Sequence, residues 1–327
     1  MLAGYVILAI LSAISLSVLI LTGVFSAKPL ATAPVRRNTL DYLFILFVLM
    51  LYFFFTFLSA PVALHFMPMV QAASLADVIG RIAAVAAIFL VGSRFFENGI
   101  SGLGASVGLV PKGIVVGALS FVAITPILYS LLAATEALAT HITHKMPPVH
   151  PMLKALATDH SATSMAFLSF LIVVAAPISE ELFFRGLIQS WLGQKLAILT
   201  ASGAEEPEGG TRRSAVAKVV HFFEIAFTSP RYASAPAAQE PAANRRSADA
   251  WIPRNRWIAI LITATLFAGM HFAVAKGYDE YFPVLFLLGV ALGYIYERTG
   301  NIWTDITMHA CFNLIPTVLI LCGVKPK

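Results

Sequence analysis

From Leu2 to Val24 the chain carries no charged side chain, and apolar tracts of similar length recur to its end. About 20 such residues match the hydrocarbon core of a bilayer. Lipid gives the backbone no hydrogen-bond partners, so spanning tracts must be helices or strands of a closed barrel. Long apolar runs without alternation select helices. With 58% hydrophobic and only 12% charged residues, the chain is too apolar for a soluble globule of its length. The expected fold is therefore all-α: a polytopic membrane helix bundle of about eight transmembrane helices.

Four expected spans, Leu2 to Val24, Leu40 to Leu58, Ile79 to Phe96 and Gly113 to Ala134, form an N-terminal unit over 1–135. The first lacks a preceding Lys or Arg and is long for a signal-peptide core, so it is expected as a retained helix. An extracytoplasmic loop, 136–165, leads to a second unit over 166–322 with spans Ala166 to Trp191, Trp257 to Ala275, Phe282 to Tyr296 and Trp303 to Cys322. Between the fifth and sixth spans lies a polar, cytoplasmic and partly disordered loop, 197–255, rich in Ala, Pro and Ser. Within it Val216, Val219, Val220, Phe223 and Phe227 recur at helical spacing, as in an interfacial helix or one packed on the bundle. His141, His144, His150 and His160 in the 136–165 loop lack a metal-ligand spacing and read as solvated.

Of the 22 lysines and arginines, 16 fall on the side of the loops after odd-numbered spans, counting Arg94 and Arg185 at span ends, and 6 on the other. That asymmetry predicts both termini away from the cytoplasm, and the membrane is expected to be a plasma or inner membrane. The net charge of +5 is dispersed over the loops and suits anionic headgroups of the lipid bilayer; no nucleic-acid partner is expected. Two cysteines, Cys311 and Cys322, provide neither a disulfide framework nor a cysteine-rich metal site.

Chemistry concentrates in three places. Glu180 and Glu181 close an apolar helix, where each acidic group costs on the order of 2.5–3.5 kcal/mol at the membrane centre and so requires a partner or a purpose. Arg185, four residues after Glu181, suits an i,i+4 ion pair and leaves Glu180 rotated toward another neighbour. Pro177 removes a backbone donor and is expected to bend the helix beside Glu180. On the sixth span His271 follows Phe267 by one turn, with Ala268 and Gly269 permitting close helix approach. On the last span Asp305, His309 and Asn313 are each four apart and share one face, a polar stripe that must look into the bundle. A carboxylate and two imidazoles polarise water, and an amide stabilises an oxyanion, which is a hydrolase inventory. Two modes stay open: direct general-base catalysis, or a divalent metal such as zinc held by Glu180, His271 and His309.

The Glu-Glu-x-x-x-Arg motif at Glu180, Glu181 and Arg185, Phe-x-x-x-His at Phe267 and His271, and His-x-x-x-Asn at His309 and Asn313 resemble the CAAX protease and bacteriocin-processing (CPBP) family of intramembrane endopeptidases. The resemblance covers the C-terminal half. It implies an eight-helix bundle with an embedded cavity that cleaves membrane-associated peptides or proteins. It further implies Glu180 as general base, His271 as its helper in activating water, His309 and Asn313 as oxyanion stabilisers, and Glu181 and Arg185 as structural support; the family has been described both with and without a metal. The long loop between the first two motifs departs from the family pattern. Asp305 is spaced either to orient His309 or to be a polar residue on the helix surface. His-Glu-x-x-His, Gly-x-Ser-Gly and Gly-x-Gly-Asp are absent. The competing reading is a transporter or a non-catalytic binding or immunity protein on the same fold.

Overall fold

The structure, a computed structural model, describes residues 2–24, 27–145, 149–159, 161–203, 251–274 and 279–324. Among these are eight long helices: α1, Leu2–Leu21; α2, Tyr42–Phe66; α3, Met69–Leu90; α4, Val110–Thr143; α5, Ala162–Ala201; α6, Pro253–Val274; α7, Phe282–Thr299; and α8, Ile302–Leu321. Six of them, α2 to α5 with α7 and α8, are long and apolar enough to cross a membrane. α1 is uncharged throughout Leu2–Leu21, and α6 carries its two arginines, Arg254 and Arg256, in its first turn. The bundle is polytopic and helical, and no strand occurs among the described residues.

Several boundaries move. The third helix begins at Met69, not near Ile79, so Asp77 and Arg81 sit inside it instead of at a membrane edge. The expected 136–165 loop is largely helical: α4 runs on to Thr143, a short helix spans Pro151–Thr158, and α5 starts at Ala162. The polar loop begins only after α5; residues 204–250, with the amphipathic Val216–Phe227 pattern, and His160 lie outside the described residues.

The outer surface is apolar, as lipid requires: Phe47, Met50, Phe54 and Phe57 of α2 are exposed. Lipid tails are as apolar as leucine, so helices associate through close packing and polar contacts more than through hydrophobic burial. Gly113 and Gly117 show the packing, because a Cβ on either would collide with Trp303 or with the Thr304 carbonyl of α8. Gly269, by contrast, faces open space; α6 makes its close approach through Ala264, packed against Gly289 of α7. Two apolar clusters knit the halves together. One joins Val48, Ile88, Leu182, Tyr296 and Ile306, and the other joins Leu128, Phe184, Phe267, Leu288 and Met308.

The ends of the odd-numbered connections meet in a buried ionic knot. Arg36, from the segment before α2, and Arg256 of α6 each donate to Glu297 of α7. Gln189 of α5 adds a bond to Glu297 at 3.0 Å, and Arg256 also caps the carbonyls of Ala33 and Pro34 at 3.0 Å. The Arg36 guanidinium lies 4.1 Å over the Tyr296 ring. Both oxygens of Glu297 are thus held by cations.

Candidate active site

Helix α5 is not a plain α-helix. Its α-helical turn Ala176–Glu181 is flanked by π-helical stretches, Leu171–Ala175 and Leu182–Gln189. Widened turns of this kind occur where a helix must re-aim side chains. The sequence permits the first. With the Ala176 N–H bonded to the Leu171 carbonyl, the next donor for the Ile172 carbonyl in π register is residue 177, a proline without an N–H. Asn313 of α8 fills the vacancy, its Nδ2 donating to the Ile172 oxygen at 2.9 Å. Pro177, expected to bend the helix, lies next to a widened stretch, where Asn313 supplies the donor that proline lacks. One of the two amide hydrogens of Asn313 is occupied in this way and the other is available.

The adjacent carboxylates face different neighbours. Glu181 is fully buried; its Oε1 accepts from Arg185 at 3.1 Å and from Nδ1 of His309 at 2.7 Å. Arg185 also donates to the Gly289 carbonyl at 3.1 Å and stacks 4.7 Å from the Phe267 ring. Glu180 keeps 17% of its side chain exposed. Its Oε1 accepts from Arg81 of α3 at 3.1 Å, whereas its Oε2 stands 3.9 Å from Nε2 of His309. That gap exceeds a hydrogen bond, so contact between the two atoms requires a third group such as a water.

The two imidazoles are presented alike. His309 donates through Nδ1 to the Glu181 carboxylate, and His271 donates through Nδ1 to the Phe267 carbonyl at 2.8 Å. Neither acceptor carries a proton to give, so both rings hold Nε2 as the atom left for chemistry. Phe267 sits between them, its centroid 4.9 Å from the His271 ring and 5.7 Å from the His309 ring. His271 lies within electrostatic reach of Glu180.

The structure thus gathers Glu180, Glu181, Arg185, Phe267, His271 and His309 in one interior region, with Asn313 one turn beyond His309 on α8. Asp305 does not orient His309: Glu181 occupies Nδ1, and both Asp305 oxygens are buried without a hydrogen-bond partner among the described residues. Glu181 is accordingly more than an ion-pair partner for Arg185, since it sets the direction of an imidazole. His150 is not solvated. It is half-buried at the start of the Pro151–Thr158 helix, where its Nδ1 accepts from the Met152 N–H at 3.3 Å. Burial and the nearby charge of His271, opposed by Glu180, push its pKa down to about 4.

Sequence reading also missed Asp77 and Arg81. Their signal was an i,i+4 acid–base pair within an apolar tract, which lipid would not tolerate without partners. Among the described residues no group of three or more His, Cys, Asp and Glu side chains is spaced to hold a metal ion. The Arg81 guanidinium on Glu180 adds a fixed positive charge beside the carboxylate. Glu180 is thus engaged by a cation already present in the protein, and a carboxylate beside two imidazoles can move protons.

Residues 162–204 and 242–315 match a protein-family model described as type II CAAX prenyl endopeptidase Rce1-like. The matched segments take in α5, α6, α7 and most of α8, and leave α1 to α4 outside. No curated protein and no solved structure matches the chain.

Proposed function

On the premise that α5 to α8 belong to the Rce1-like family of type II CAAX prenyl endopeptidases, we propose that this chain is an intramembrane endopeptidase that hydrolyses a peptide bond of a membrane-associated substrate through water activated by Glu180. The substrate class is a prenylated CAAX-type tail or a similar peptide held at the bilayer. The observation that carries the proposal is the 3.9 Å separation of Glu180 Oε2 from His309 Nε2 inside the bundle. A water lodged there gives one hydrogen to each atom. Glu180 takes its proton as the oxygen attacks the scissile carbonyl, then returns that proton to the leaving amine as the carbon–nitrogen bond breaks. The second amide hydrogen of Asn313, one turn beyond His309 on α8, is a neutral donor for the oxyanion, and His271 stands within electrostatic reach of Glu180. No metal takes part in this scheme. The chain sits in a plasma or inner membrane with both termini away from the cytoplasm.

The test uses the full chain in liposomes with a farnesylated peptide ending in a CAAX sequence, and mass spectrometry of the products. Wild type cleaves and continues to do so after chelation, while Glu180→Gln loses about 10²–10⁴-fold in kcat, the usual worth of a general base. Full cleavage by Glu180→Gln would falsify the assignment. Solute flux driven by a gradient with no peptide product would instead identify a transporter. Native substrates are those precursors that accumulate in membranes of cells carrying Glu180→Gln in place of wild type.

A further inference from the structure

The glutamate assigned as base is held by a helix that lies outside the Rce1-like segments. Arg81 of α3 donates through Nη1 to Glu180 Oε1 at 3.1 Å and to Ser179 Oγ at 2.7 Å. The Ser179 hydroxyl gives its own hydrogen to the α5 backbone, at the carbonyls of Ala175 and Ala176, so it meets Arg81 as an acceptor. On its other side Arg81 Nε donates to Asp77 Oδ2 at 2.7 Å, and Asp77 Oδ1 accepts from the Tyr52 hydroxyl of α2. Four polar side chains thus run in series from α2 through α3 to Glu180 on α5.

The backbone supports this run. Gly80 precedes Arg81, and a Cβ there would collide with Thr56 and with the Tyr52 carbonyl. Only glycine lets α3 press this closely on α2, and that approach brings Asp77 under the Tyr52 hydroxyl. The guanidinium is then fixed by two acceptors, Asp77 and Ser179, that are not themselves the catalytic group. Arg81 meets Glu180 as a preset clamp and not as a mobile counter-ion.

We propose that Arg81 is a positioning residue for the hydrolytic reaction: it pins one oxygen of Glu180 so that the other stays directed at His309 Nε2 without contacting it. This rests on the reading of Glu180 as the base. Without the clamp, the Glu180 carboxylate is free to rotate, and Oε2 is no longer held 3.9 Å from His309 Nε2, where the two acceptors share one water. A displacement of about 1 Å at a reacting group costs on the order of 10²-fold in rate. The N-terminal helices thereby supply part of the active site, and α5 to α8 alone are incomplete as a catalyst.

The experiment measures kcat and KM separately for the full chain in liposomes with the farnesylated CAAX peptide. Thermal unfolding of the purified protein serves as the control for fold. Arg81→Met is expected to lower kcat by about 10²-fold with KM within about twofold. Arg81→Lys, which restores one donor but not the fork, recovers kcat to within about tenfold of wild type. In a Glu180→Gln background, Arg81→Met costs nothing further, because two residues that act as a unit are not additive. Wild-type kcat in Arg81→Met, or a full second loss in the double variant, overturns the inference. Should Arg81→Met fail to fold, Arg81→Lys decides: a lowered kcat at constant KM supports the clamp, and an unchanged kcat overturns it. Wild type and Glu180→Gln giving equal cleavage overturns the base assignment itself, a result distinct from cleavage lost in Glu180→Gln and kept in Arg81→Met.

Discussion

Glu297 and Glu180 are both carboxylates in a lipid-embedded bundle, both bound to arginine, and they differ in what is left over. Glu297 is 1% exposed, with Arg36 on one oxygen, Arg256 on the other and Gln189 in support. Nothing on it remains for a substrate. Glu180 is 17% exposed, with Arg81 on one oxygen while the other faces an imidazole across 3.9 Å. Burying charges is costly unless their hydrogen bonds are complete, so a complete knot reads as scaffold and an incomplete one as a site kept open for use. Glu181 stands between these types: it is as buried as Glu297, yet it touches the imidazole that faces Glu180.

Breaking the closed knot gives the largest effect on stability. Glu297→Gln leaves Arg36 and Arg256 without an anion in a buried setting, and removing one partner from such a cluster costs about 3–5 kcal/mol. The unfolding temperature in detergent and the yield from membranes should both fall, while the protein that survives keeps the kcat of wild type. An unchanged unfolding temperature would show that Glu297 is not a scaffold group.

Glu181→Gln separates the two roles within one residue. It leaves Arg185 buried beside a neutral amide and weakens the acceptor that orients His309. Stability should drop by a few kcal/mol, less than for Glu297→Gln because only one arginine loses its anion. The kcat should drop as well, by roughly 10²-fold, because the imidazole is no longer held in line. Measuring both on one sample places Glu181 between Glu297, which moves stability alone, and Glu180, which moves activity alone. A loss of stability at constant kcat would reduce Glu181 to scaffold.

Much of this contrast was legible in the residues. Sparse charge in long apolar tracts fixes the helical class, because lipid leaves the backbone few alternatives. The four-residue steps from Glu181 to Arg185 and from His309 to Asn313 place those groups on shared faces whatever the tertiary structure. Arg81 escaped because Asp77 and Arg81 offset each other one turn apart, so a charge-based boundary falls at Ile79 while the helix continues back to Met69. The bond from Asn313 to Ile172 depends on a π register that Pro177 permits but does not dictate. The knot at Glu297 joins residues 36, 189, 256 and 297, a convergence that only the packed topology creates.

Asp305 gives the smallest effect and the sharpest test of the contrast, since it resembles Glu297 in burial and not in bonding. It is fully buried, shares the polar face of α8 with His309, and has no hydrogen-bond partner for either oxygen among the described residues. A carboxylate in that position gains little from its surroundings, and Glu181 nearby carries like charge. Asp305→Asn keeps the shape and removes the charge. Replacing an unsupported buried ion by a neutral group is neutral or stabilising, so stability should hold or rise by about 1 kcal/mol at most, read as an unfolding temperature that does not fall, with kcat within about twofold of wild type. A marked loss of stability would mean that the Asp305 charge compensates Arg185 and Arg36 at a distance, which would join the closed knot and the open site into one electrostatic unit.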